Sequence, residues 1–123
     1  MGVFSVTVEI GDSRGENFQA IEALVDSGAS YTLVPARLLQ GLGVTPHERR
    51  RCLLADERIV EREIGRTWLR IDGRTEMTIV VFGDEGAQPL LGAVTLEEFG
   101  LGIDPMKQQL IPVTGYLMRV GEA

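Results

Sequence analysis

Apolar and polar residues alternate from Val3 to Ile10, with Phe4, Val6, Val8 and Ile10 on one side and Ser5, Thr7 and Glu9 on the other. A period of two predicts a half-buried β-strand. Turn formers fill Gly11 to Glu16, and a second strand is expected over Phe18–Val25, closing a hairpin that ends against Asp26. Tyr31–Val34 is a short β-branched and aromatic run. Pro35 suits the first position of a helix whose apolar face is Leu38, Leu39 and Leu42, with Gly41 and Gly43 as stops.

Further along, Cys52–Ala55 and Ile59–Ile64 flank the polar residues Asp56, Glu57 and Arg58, which predicts a second hairpin, read as mobile. Arginines at 58, 62, 66, 70 and 74 share a spacing of four. Residues four apart also share one face of a strand, and Val60, Ile64, Thr67, Trp68 and Ile71 favour strands, so a solvated strand face is preferred to a basic helix. The buried parity shifts from Val60 and Ile64 to Leu69 and Ile71, which predicts a bulge at Gly65. Asp72-Gly73 is a hairpin turn into a strand over Met77–Phe82. Ala93–Phe99 reads as a short helix with Leu96 and Phe99 inward and Gly100 as its stop. Strands near Gln109–Val113 and Tyr116–Val120 end the chain. Gly41-Leu42-Gly43-Val44 is echoed by Gly100-Leu101-Gly102-Ile103, each after a short helix and a Gly-Ala pair, which reads as two similar halves around one core.

Together these elements predict a mostly β fold with one or two short helices in a single domain over residues 1–123. The length of 123 residues, with 44% hydrophobic content, accommodates one core and little more. A net charge of −6 argues against a nucleic-acid partner, since phosphate binding needs a basic surface. No apolar run reaches the roughly 20 residues of a membrane span, and the N-terminal alternation is unlike a signal peptide, so a cytoplasmic protein is expected and no membrane partner. One cysteine, Cys52, and one histidine, His47, supply neither a disulfide nor a zinc set, so no metal or other cofactor is expected. His47 reads as a solvated loop residue.

The chemistry concentrates at Asp26. An apolar strand, Ala23-Leu24-Val25, delivers a carboxylate into the small-residue turn Ser27-Gly28-Ala29-Ser30. A charge left alone in such a place costs several kcal/mol unless it is paired, protonated or held by donors, which are also the conditions of a catalytic carboxylate. By itself Asp-Ser-Gly is equally an ordinary turn.

The run Leu24-Val25-Asp26-Ser27-Gly28-Ala29-Ser30 resembles the active-site motif of retropepsin-like aspartic proteases. Leu90-Leu91-Gly92-Ala93, followed by a helix, resembles that family's C-terminal signature, which packs behind the active-site loop. The resemblance implies a closed β-barrel acid-protease half-domain that works as a homodimer, because the chemistry needs two such carboxylates and this chain has one motif. It implies an aspartic endopeptidase acting on a peptide or protein substrate, with Asp26 catalytic and Ser27, Gly28 and Ala29 supporting the loop. Ala55, Asp56, Glu57 and Arg58 would be the tip of a substrate-covering flap, charged where viral members carry glycines. Two alternatives from other classes stay open: an inactive dimerisation or peptide-binding module on the same fold, and a glycosidase-type carboxylate hydrolase. Against the first, two charges 4 Å apart repel by about 4 kcal/mol at an effective dielectric near 20, so an idle pair would destabilise a dimer.

Overall fold

The computed structural model describes residues 4–115. The alternating N-terminal segments form β1 (Phe4–Gly11) and β2 (Phe18–Val25), antiparallel and in register from Phe4 opposite Val25 to Gly11 opposite Phe18. Asp12 closes their turn. Its Oδ1 accepts the Glu16 N–H at 2.9 Å and its Oδ2 accepts Asn17 Nδ2 at 2.8 Å, while Gly15 takes the left-handed conformation at φ 71°.

β3 (Thr32–Pro35) leads into α1 (Ala36–Gly41), with Pro35 as the residue before the helix rather than its first member. A long hairpin follows, β4 (Glu48–Leu53) and β5 (Ile59–Ile71), then β6 (Arg74–Gly83) after Asp72 and Gly73, both left-handed. The short β7 (Leu90–Leu91) precedes α2 (Ala93–Glu98), and β8 (Leu101–Asp104) pairs with β9 (Gln109–Pro112) as a separate ribbon. The expected strand at Tyr116–Val120 lies outside the described residues.

Neighbouring strands run in the order β1, β2, β7, β3, β6, β5, and β5 returns to β1 through Glu9 opposite Arg70 and Ile10 opposite Leu69. The pairing therefore closes on itself between β5 and β1, while β4, paired with the Ile59–Ile64 part of β5, ends the sheet as an edge strand. Val8, Ile10, Val25, Val34, Leu69, Val80, Phe82, Leu91, Leu96 and Phe99 fill the main core.

The bulge expected at Gly65 is absent. β5 pairs with β6 without interruption from Ile64 opposite Val81 to Ile71 opposite Arg74. The parity changes because β5 is buried on different faces at its two ends: Ile64 joins a second cluster with Ile79 and Val81, while Leu69 and Ile71 face the main core. Gly65 answers to packing, since a Cβ there would sit 3.0 Å from the Phe82 ring and 3.2 Å from the Thr45 carbonyl oxygen. The two-halves echo survives with a shifted alignment. Each helix ends in a left-handed glycine two residues past its last turn, but these are Gly43 and Gly100, not the pair the sequence match aligns.

Candidate active site

β2 ends at Val25, fully buried, and the chain then turns through Asp26, Ser27, Gly28 and Ala29. The Ala29 N–H donates to the Asp26 carbonyl at 3.1 Å, closing the turn, and the Gly28 N–H donates to Asp26 Oδ1 at 2.9 Å. That second bond explains the glycine: a Cβ at Gly28 would lie 3.2 Å from the same oxygen. Asp26 and Ala29 are half-buried, whereas Ser27 and Gly28 are exposed. Among the described residues the half-buried carboxylate has one backbone donor, whereas the sequence reading called for it to be protonated, paired or held by several donors.

The second segment singled out from sequence lies directly against this loop. β7 runs parallel to β2, with Leu24 beside Leu90 and Val25 beside Leu91. The Asp26 N–H donates to the Leu91 carbonyl at 3.1 Å, Ala93 N–H to Ala29 O at 2.8 Å, and Val94 N–H to Ser30 O at 3.0 Å. Gly92 lies against the backbone of Tyr31 and Thr32, where β3 begins. A Cβ there would fall 2.5 Å from the Tyr31 carbonyl carbon and 2.6 Å from its oxygen, so only glycine lets the two backbones approach. Three backbone bonds and two glycines hold the acidic loop from both sides.

The tip residues of the β4–β5 hairpin are not brought to Asp26 in the same way. Ala55, Asp56, Glu57 and Arg58 are exposed, and among the described residues their hydrogen bonds stay within the turn: Glu57 N–H to Leu54 O, Leu54 N–H to Arg58 O, and Arg58 Nε to Asp56 Oδ2 at 2.7 Å. Glu57 adopts φ 69°, unusual for a side-chain-bearing residue. The hairpin is tied to the active-site side lower down, where Arg50 Nη1 donates to the Tyr31 hydroxyl at 2.8 Å and its Nε and Nη2 clasp the Glu48 carboxylate. The hydrogen bonds from Arg50 hold the Glu48 carboxyl below its ordinary range, and the same bonds raise the guanidinium. His47, exposed beside Glu48, takes no part in the acidic loop.

Sequence reasoning missed a buried polar cluster behind the loop. Thr32, Thr78 and Thr95 are at most 3% exposed, and their hydroxyls join one another. The signal was three threonines at core positions of apolar segments, where a hydroxyl needs a partner. A shallow, mainly apolar hollow of about 250 Å³ borders Ser27 on the other side, lined by Leu96, Leu101 and Ile103 among others.

A closed β fold that presents one carboxylate on a glycine turn, braced by a strand-glycine-helix segment, defines the class that the sequence motifs resemble. The chain belongs to the retropepsin-like aspartic protease family: residues 6–95 match the family described as aspartyl protease. Its fold is similar to that of the protease of simian foamy virus (mac), at 19% identity and a TM-score of 0.56 over 78% of this chain and 94% of the viral one. It is likewise similar to the retroviral protease-like domain of Ddi1 from Leishmania major, at 21% identity and a TM-score of 0.55 over 90% of each chain. No curated protein matches the sequence.

Proposed function

We propose that the chain is an aspartic endopeptidase whose active site forms when two copies bring their Asp26 carboxylates together across a twofold axis. The observation that carries this reading is the Asp26 loop itself, a half-buried carboxylate held in fixed geometry by Gly28 and by the Leu91–Val94 segment. The chain contains one Asp-Ser-Gly, so a two-carboxylate site needs a second chain. The apolar hollow beside Ser27 gives a partner something to cover next to the loop.

In that dimer two carboxylates about 3 Å apart share one proton, because both cannot readily ionise. The ionised member takes a proton from a water as the water attacks the peptide carbonyl, and the protonated member donates to the developing oxyanion. Gly28 N–H fixes one carboxylate oxygen, Ser27 supplies a hydroxyl to the loop contact across the axis, and Ala29 keeps the turn small. The Ala55–Arg58 tip would close over an extended substrate and exclude water.

Incubation with a mixed peptide library tests the reading. Wild type is expected to cleave internal peptide bonds, and Asp26→Asn to lower the rate by about 10³-fold or more, since it removes proton exchange at nearly constant volume. Circular dichroism should show the variant folded. Cleavage persisting in folded Asp26→Asn rejects Asp26 as the acid-base group, and a wild type inert to every peptide favours the inactive binding module.

A further inference from the structure

A chain of hydrogen bonds leads from the brace behind the Asp26 loop to the protein surface. The Gly92 N–H donates to Thr32 Oγ1 at 3.1 Å, Thr32 and Thr95 hydroxyls lie 2.6 Å apart, Thr95 and Thr78 hydroxyls 2.7 Å apart, and Thr78 donates to Glu98 Oε1 at 2.6 Å. The three threonines are buried and Glu98 is exposed. The route joins β3, β6 and α2 through residues far apart in sequence.

The polarity of this chain is determined by its ends. A backbone N–H can only donate and a carboxylate can only accept, whereas each hydroxyl has a single proton to give. Thr78 spends its proton on Glu98 and so accepts from Thr95. Thr95 then accepts from Thr32, and Thr32 accepts from Gly92. Every donor finds an acceptor in this one arrangement. Without an acceptor at position 98, one buried hydroxyl proton has nowhere to go, a penalty that a dry interior makes large.

We propose that Glu98 is a positioning residue for the acidic loop: its carboxylate takes the Thr78 proton, so that all three hydroxyl protons of the chain find acceptors and Thr32 stays fixed where it receives the Gly92 N–H. Gly92 lies between Leu91, which receives the Asp26 N–H, and Ala93 and Val94, which donate to Ala29 and Ser30. A glycine held by Thr32 keeps all three of those bonds in register, and an unheld one lets the brace slide. The consequence for catalysis rests on the protease reading above, whereas the consequence for the brace does not.

Amide hydrogen exchange by NMR on the full chain separates the two. In Glu98→Ala, the amides of Asp26, Gly92, Ala93 and Val94 are expected to exchange about tenfold faster, the size of one lost buried hydrogen bond. Those of the β1–β2 hairpin away from Asp26 should hold their rates. Glu98→Gln keeps an acceptor oxygen and should stay within about twofold of wild type. In a Thr78→Val background, where the chain is already cut, Glu98→Ala should add nothing. On a cleavable peptide, Glu98→Ala is expected to lower kcat by about tenfold with KM nearly constant, and Glu98→Gln to restore it. Unchanged exchange at Gly92, a uniform rise that includes the β1–β2 hairpin, or a Gln variant as impaired as Ala overturns the proposal. A wild type that cleaves nothing overturns the protease reading while the exchange pattern still decides the role of Glu98.

Discussion

At the scale of single residues, two glycines near the acidic loop do different work, and their replacement should separate stability from activity. At Gly92 an added methyl meets Tyr31 and Thr32 backbone atoms at 2.5–2.9 Å. Backbone on that side is locked in β3 and cannot yield cheaply, so Gly92→Ala is expected to destabilise by about 3 kcal/mol, read as a lower denaturant midpoint. At Gly28 the only near atom is Asp26 Oδ1 at 3.2 Å, and the residue is exposed. Gly28→Ala should therefore change stability by less than about 0.5 kcal/mol while moving the carboxylate enough to lower peptide cleavage about tenfold. A Gly28→Ala protein that melts early, or a Gly92→Ala protein that melts like wild type, contradicts this division. Both glycines were legible in the sequence as members of motifs, but their difference was not, because it depends on which atoms a fold brings within 3 Å. The threonines behind them were harder still: a threonine in an apolar run looks the same whether its hydroxyl caps its own backbone or, as at Thr32 and Thr95, meets another threonine 63 residues away.

At the scale of elements, legibility tracks how much of a segment is buried on one face. β1 and β2, with one wet and one dry side, were readable to within a residue, as were the Asp72-Gly73 turn, the inward Leu96 of α2 and the buried Phe99 that follows the helix. β4 begins at Glu48, ahead of the strand expected from Cys52, because Glu48-Arg49-Arg50-Arg51 has no deeply buried face and so no alternation to detect. β8 was missed for a related reason: all four of its residues are half-buried and it pairs only with β9. Gly65 shows the opposite failure, in which a true change of burial was given a local cause when two separate apolar clusters produced it. The β1–β2 turn carries a prediction at this scale. Glu16 N–H, and after it the Asn17 side chain, hold the Asp12 carboxyl below its ordinary value. A group whose folded value is depressed stabilises above its unfolded value near pH 4 and loses that contribution as pH falls toward the folded one. The melting-temperature gap between wild type and Asp12→Ala should thus be widest near neutral pH and narrow below about pH 4. A gap that stays constant down to pH 2 would show that the ionised carboxylate is not what holds the turn.

At the scale of the whole molecule, the isolated chain has an unfinished look at one place. The β pairing closes on itself, yet among the described residues the Asp26 carboxylate is left with a single backbone donor and an apolar hollow beside its loop. Subunit mixing tests whether a second chain completes it. If each site takes one Asp26 from each of two freely exchanging copies, activity at fixed total protein follows the square of the wild-type fraction when wild type is diluted with Asp26→Asn. An equal mixture then retains about one quarter of the activity, since only that share of random pairs carries both carboxylates. If one chain sufficed, the same mixture would retain about one half. The comparison requires exchange between copies, which co-refolding the two from denaturant ensures. The two-chain form also ties the dependence on concentration to the same cause: dilution below the dimer dissociation constant should lower activity per chain, and an activity per chain that is flat on dilution while the mixing curve is linear would place the whole reaction within one subunit.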